Sequence, residues 1–189
     1  WTAVYVLDKG PVTMVRMWDY PYLYSLLLTF FGYFAGNVVI VERILPLFFG
    51  VLLIYANSEI SLRITKNIHI AGLASLLTAT SLTVLRVLSD LHRNLMALSL
   101  SFIALLLVAD LNDKRSLKRR YLFLVLILFA IATAHFETYL VLSLSLFLYG
   151  CLIRSMKKLL MLILACAIPL MFLLLISPVY FFGYIGTLV

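Results

Sequence analysis

The chain contains several apolar runs of about the length that a helix needs to cross a lipid bilayer. A transmembrane helix takes about 20 mostly apolar residues, and runs of this kind lie over 43–62, 67–85, 93–110 and 159–177. Apolar and aromatic residues make up 65% of the 189 residues, and charged residues only 12%. Because a soluble domain keeps about a quarter of its residues charged, the sequence predicts an integral membrane protein and excludes an ordinary soluble enzyme.

A further apolar run over 121–153 is too long for a single span. It is interrupted near its middle by a short polar stretch at 134–138. We therefore expect two short helices, 120–134 and 137–153, joined as a hairpin at this break.

The segment 20–36 differs from the other helical segments in its length and composition. It is shorter than a span requires, and it is rich in Tyr and Phe, which favour the depth of the lipid headgroups. Pro21 suits the first turn of a helix, and Gly36 is typical of a helix end. We interpret this segment as a helix that lies at the membrane interface, with a spanning helix as the alternative.

The predicted fold class is an all-α, polytopic transmembrane bundle with one interfacial helix. An outer segment over 1–19 precedes the interfacial helix over 20–36. The transmembrane bundle of about six helices then occupies 43–178, and an outer C-terminal segment occupies 179–189.

The basic residues indicate an orientation in the membrane. When the spans are threaded in order, ten of the fifteen Lys and Arg residues fall on one side: Arg63, Lys66, Lys114, Arg115, Lys118, Arg119, Arg120, Arg154, Lys157 and Lys158. Cytoplasmic loops are enriched in Lys and Arg, so we expect a multi-pass protein of the cell membrane with this side in the cytoplasm. The sequence lacks a basic stripe with interleaved aromatic residues, so nucleic acid is not an expected partner.

The stretch 86–94 carries the densest group of polar side chains on the predicted extracytoplasmic side. It contains Arg86, Asp90, His92 and Arg93. Arg offers a planar pair of donors that suits phosphate oxygens, so this stretch is a candidate site for an anionic headgroup. The alternative is a solvated loop in which Asp90 pairs locally and Arg86 extends into water.

Three other polar residues each have two interpretations. His135 and Glu137 lie at the predicted hairpin turn, where they either cap the turn or line an outer cavity that binds substrate. Asp19 either caps the helix that follows it or contributes a carboxylate to the site. Glu59 and Arg63 are four residues apart, and we expect a structural ion pair between them.

The order of these features resembles the membrane glycosyltransferases of the GT-C fold, a superfamily that includes protein O-mannosyltransferases and aminoarabinose lipid A transferases. The letters D-Y-P-Y-L-Y at 19–24 are similar to that family's D-x-P-P-L-Y segment, with Tyr22 in place of the second Pro. E-R-I-L-P-L-F-F-G at 42–50 resembles its R-x-x-S-x-x-x-G helix opening. R-V-L-S-D-L-H-R-N at 86–94 resembles an outer loop, and A-T-A-H at 132–135 resembles its L-T-H break.

The resemblance implies a transferase that moves a sugar from a polyprenyl-phosphate donor to an acceptor outside the cytoplasm. The phosphate-side candidates are Arg86, His92 and Arg93, and the acceptor or metal candidates are Asp19, Asp90 and Glu137. The family's first transmembrane helix and its acidic pair precede the D-x-P segment. We therefore expect this chain to be a fragment whose main catalytic carboxylate lies upstream of Trp1, and a divalent metal stays open as a cofactor.

Two other classes of function fit the composition. A non-catalytic multispan subunit or lipid-binding scaffold would use the same outer polar cluster only to hold lipid headgroups. A transporter is the third possible class of function, and it would need a polar path through the middle of the bilayer. Membrane lipids are expected partners under each of these readings.

Overall fold

A computed structural model describes residues 23–81, 92–109, 117–153 and 155–176. All of the regular structure in these ranges is α-helical, which confirms the all-α prediction. The seven helices there are α1 (Leu23–Ala35), α2 (Val38–Thr65), α3 (Ile68–Thr80), α4 (His92–Ala109), α5 (Leu117–Ala134), α6 (Phe136–Leu152) and α7 (Met156–Ile176). The predicted outer segments 1–19 and 179–189 lie outside the described residues.

Two of these helices, α2 and α7, are both long and apolar enough to cross a membrane. Large apolar side chains are exposed along the bundle, for example Leu47 on α2 and Leu175 on α7. Exposed apolar surface of this extent is unusual for a soluble monomer, so the length of these helices and the exposed surface together favour a membrane protein.

Helix α2 begins five residues earlier than the predicted 43, so that prediction was wrong. The side-chain oxygen of Asn37 accepts hydrogen bonds from the backbone N–H groups of Val39 and Ile40, at 2.9 and 3.4 Å. Asn is among the residues that best satisfy the unpaired N–H groups at a helix start. Asn37 therefore begins α2 directly after Gly36, the residue predicted to end the preceding helix.

Helix α3 is shorter than the predicted 67–85 and ends at Thr80. Ser81 has an extended backbone, with φ −60° and ψ 125°, and this conformation ends the helix. The side chains of Thr78 and Thr80 donate hydrogen bonds to carbonyls one turn earlier in α3. Hydroxyl residues that bond their own backbone are weak helix formers, so hydropathy alone does not indicate this helix end. The remainder of the predicted segment, 82–85, lies outside the described residues.

Helices α2 and α3 form an antiparallel hairpin through Lys66 and Asn67. Two side-chain hydrogen bonds join the helices, from Asn57 Nδ2 to Thr78 Oγ1 at 2.5 Å and from Ser58 Oγ to the Ala71 carbonyl at 3.4 Å. The expected structural ion pair is confirmed on the same stretch of α2, where Arg63 Nε lies 2.8 Å from Glu59 Oε1.

Helices α2 and α4 are packed side by side and run in the same direction. Near their first turns, Tyr24 of α1 lies beside His92 of α4. The negative charge of Glu42 of α2 also acts on the Tyr24 phenol. Seven residues further along each helix, the buried Ser99 Oγ lies 2.8 Å from the Phe49 carbonyl. The facing positions therefore advance in the same direction along both helices, as in a parallel pair.

The chain reverses direction at His135. The three-residue connection 153–155 makes α6 and α7 antiparallel, and the Tyr139 hydroxyl accordingly donates to the Cys166 carbonyl at the middle of α7. Phe129, near the end of α5, meets Phe172, near the end of α7, with ring centroids 4.9 Å apart. Helices α5 and α7 are therefore parallel, and α6 returns between them, as a hairpin at 134–138 requires.

The core of the bundle lies between α2, α4, α5, α6 and α7. Its fully buried side chains include Leu53, Leu95, Met96, Leu124, Leu128, Ile131, Tyr139, Leu146 and Leu162. Helix α1 packs against α2 and, to a smaller extent, α5. This packing places α1 at one end of the bundle. The predicted site residues His92, His135 and Glu137 lie at the same end.

Candidate functional site

One end of the bundle collects the first turns of α2 and α4, the reversal between α5 and α6, and helix α1. The seven-residue connection 110–116 makes α4 and α5 antiparallel neighbours, so the start of α4 and the end of α5 share this end. We call it the histidine end. Its ionisable residues include Tyr24, Glu42, His92, His135 and Glu137.

The opposite end, which we call the basic end, carries most of the described cations. Its Lys and Arg residues are Arg63, Lys66, Lys118, Arg119, Arg120, Lys157 and Lys158. Among the described residues, the acid at this end is Glu59, which is paired with Arg63. The two ends of the bundle therefore differ strongly in charge.

His92 is the first residue of α4 and is half-buried at the histidine end. Its ring centroid lies 6.0 Å from that of Tyr24, and the two rings are tilted by 46°. Arg93 follows it in the first turn of α4. The predicted site residues Asp19, Arg86 and Asp90 lie outside the described residues, so their roles stay predictions.

His135 caps the start of α6. Its Nδ1 accepts a hydrogen bond from the Thr138 backbone N–H at 3.3 Å and lies 2.9 Å from Thr138 Oγ1. This arrangement corresponds to the capping alternative for His135. Glu137 is exposed in the first turn of α6, where a negative charge interacts favourably with the helix dipole. Contact of either residue with a substrate stays a prediction.

Tyr24 is a candidate that sequence reasoning missed. Its side chain is 5% exposed, and its hydroxyl has no hydrogen-bond partner in the part of the chain that the structure describes. Burial raises the pKa of the Tyr24 phenol, and the negative charge of Glu42 raises it further. Tyr24 belongs to the D-Y-P-Y-L-Y motif, but only the packing of α1 on α2, with the Tyr24 ring beside His92, distinguishes it from the other tyrosines of that segment.

A metal site is not formed by the described residues alone, since no three His, Cys, Asp or Glu side chains gather within the described ranges. Two of the predicted acceptor or metal residues, Asp19 and Asp90, lie outside these ranges. A divalent metal therefore stays a hypothesis that depends on them.

No protein-family model, curated protein or solved structure matches this chain. The GT-C resemblance accordingly rests on the motifs and on their order along the sequence.

Proposed function

We propose that this chain is the membrane core of a GT-C-type glycosyltransferase that uses a polyprenyl-phosphate sugar donor. The observation that carries the proposal is the gathering of Tyr24, Glu42, His92, His135 and Glu137 at the histidine end, opposite the basic end. Ionisable groups that gather at one end of an apolar bundle are typical of a site that handles a charged headgroup at the membrane surface.

In this proposal the bundle is polytopic, and its basic end faces the cytoplasm by the positive-inside rule. Helices α4 and α5 have 18 residues each, which corresponds to about 27 Å of helix and nearly spans the hydrocarbon core of about 30 Å. The histidine end then lies on the extracytoplasmic side. Helix α1 lies at the interface there and directs Phe30, Phe31, Tyr33 and Phe34 outwards.

The chemistry assigned to this site has two parts. Arg86, Arg93 and His92 bind the phosphate of the donor and stabilise the negative charge that it gains as the bond to the sugar breaks. A carboxylate removes the proton from the acceptor hydroxyl while the acceptor oxygen forms its bond to the sugar carbon. The candidates for that carboxylate in this chain are Asp19, Asp90 and Glu137.

The phosphate assignment predicts the effect of removing either guanidinium. We expect Arg86→Ala and Arg93→Ala each to weaken the binding of polyprenyl phosphate by about tenfold or more, because a charge-assisted hydrogen bond contributes about 1.5–3 kcal/mol. Binding is measured on the protein in lipid nanodiscs. Arg119→Ala, at the basic end, is the matched control and should leave the affinity unchanged. Unchanged affinity in both Arg86 and Arg93 variants would contradict the assignment.

A second candidate is a non-catalytic subunit that binds lipid headgroups at the same end. The capping bonds of His135 favour it, because they account for this imidazole without a substrate. Transfer of a radiolabelled sugar from a polyprenyl-phosphoryl donor by the full-length protein separates the two. Transfer supports the enzyme, whereas lipid binding without transfer supports the subunit.

A further inference from the structure

The hydroxyl of Tyr24 is buried without a hydrogen-bond partner among the described residues. Burying such a group costs free energy unless it is paired, so an unpaired one in a packed region calls for an explanation. The phenol lies where α1 packs on α2, with the His92 ring on one side and the Glu42 carboxylate close enough to influence it.

We infer that Tyr24 and Glu42 form a subsite for a neutral, hydroxyl-bearing group, namely the sugar of the lipid-linked donor. This inference rests on the proposed function. The phenol donates a hydrogen bond to a sugar oxygen, and the Glu42 carboxylate accepts one from a sugar hydroxyl. A hydroxyl-rich ligand satisfies both groups together.

Charge separates this subsite from the phosphate position. The negative charge of Glu42 repels a phosphate held beside Tyr24, so the anionic part of the donor belongs elsewhere at the histidine end. Burial and the Glu42 charge both raise the pKa of the phenol, so Tyr24 remains a hydrogen-bond donor at physiological pH. The subsite therefore recognises the sugar and not its phosphate.

This inference requires α1 to shift so that Tyr24 moves away from His92 and a ligand reaches the covered hydroxyl. Only Gly36 and Asn37 separate α1 from α2, and Gly36 has a positive φ of 65°. Helix α1 contacts the bundle through one face, which buries Tyr24, Leu28 and Gly32. The Gly36 junction is the place at which such a shift would occur, since a glycine permits a wider range of backbone angles than other residues.

The test compares polyprenyl phosphate with polyprenyl-phosphoryl glucose, mannose and galactose, bound to the protein in nanodiscs. Tyr24→Phe should weaken the best-bound glycosylated lipid about fivefold, the effect of one lost neutral hydrogen bond. Glu42→Gln should weaken it about tenfold or more, because a charge-assisted bond is lost. Bare polyprenyl phosphate should bind Tyr24→Phe as it binds the wild type, and Glu42→Gln equally or more tightly.

Matched controls and a stability measurement separate recognition from folding. Tyr33→Phe alters an exposed tyrosine of the same helix, and Glu59→Gln alters a carboxylate at the basic end; neither should change the ratio of the two affinities. Tyr24→Phe should leave the unfolding midpoint unchanged or raise it, because it removes an unpaired hydroxyl.

The outcomes distinguish the inference from the proposed function. Equal losses for bare and glycosylated lipid, or no loss for glycosylated lipid, would overturn the sugar subsite alone. A wild-type protein that binds none of the four lipids would overturn the proposed function and the subsite with it.

Discussion

A structural role and a ligand-binding role would use different nitrogen atoms of the His135 imidazole. The cap on α6 uses Nδ1 as an acceptor for the Thr138 N–H. With Nδ1 accepting, a neutral ring carries its proton on Nε2. The cap therefore depends on Nδ1, and a ligand-binding role would depend on the other nitrogen.

Substitution of His135 tests these roles separately. His135→Ala removes the cap and should lower the free energy of unfolding by about 1 kcal/mol. His135→Asn should recover most of this loss, since Asn is a favourable capping residue. Stability is measured by denaturant titration in mixed micelles, and polyprenyl phosphate binding is measured in parallel.

The binding result for His135→Asn decides the assignment. If His135 also contacts the lipid, this variant should recover stability but not affinity. Full recovery of both would show that the residue acts only as a cap, and the site would then depend on His92 and the two Arg candidates.

At this scale the sequence indicates which polar residues to examine but not how they are used. His92, His135 and Glu137 are conspicuous because polar side chains are rare in apolar surroundings. Tyr24 is not, because burial of a single hydroxyl depends on how α1 packs, and composition carries no information about that packing. The candidate site was therefore only partly predictable.

Among the elements, α1 depends on a close approach to the start of α2. A Cβ atom added at Gly32 would lie 2.7 Å from Val38 Cγ2 and 3.3 Å from Val38 Cα. Contacts this short force the two helices apart or force Val38 out of place. The glycine therefore sets the position of α1 and of Tyr24 on it.

Gly32→Ala should lower the free energy of unfolding by about 1 kcal/mol, because overpacking outweighs the gain in helix propensity. Val38→Ala in the same chain should recover part of this loss, since the clash is chiefly with the Val38 side chain. Gly72→Ala is the matched control on α3. An added Cβ meets nothing within 4 Å there, so it should raise stability by up to about 1 kcal/mol. Equal effects at Gly32 and Gly72 would contradict the close approach.

The helical segments themselves were largely evident from hydropathy, but their ends were not. The start of α2 depends on the Asn37 side chain, and the end of α3 depends on the backbone of Ser81. Both are local hydrogen-bonding and backbone effects, to which an average over a window of about 20 residues is insensitive.

At the scale of the whole molecule, the two ends of the bundle present different electrostatic surfaces. A cluster of cations such as the basic end is expected to attract anionic lipid through charge alone, with little dependence on headgroup shape. The histidine end has fewer cations but offers directional donors and acceptors.

The sequence did not predict which helices are neighbours, because hydropathy indicates the length of a helix and not its packing partners. The parallel pairing of α2 with α4 brings Tyr24, Glu42 and His92 together, and it appears only in the fold.

The central claim is that a lipid-linked phosphate binds at the histidine end, and photo-cross-linking tests it most directly. A polyprenyl phosphate with a diazirine beside the phosphate is irradiated with the protein in nanodiscs, and the labelled peptides are identified by mass spectrometry. We predict that most of the label lies in the stretch 86–94, which carries Arg86 and Arg93, and around His135, and that unlabelled polyprenyl phosphate suppresses it. Label concentrated on Arg63–Lys66, Lys118–Arg120 and Lys157–Lys158 would contradict the claim, because it would show attraction of the lipid to the basic end alone.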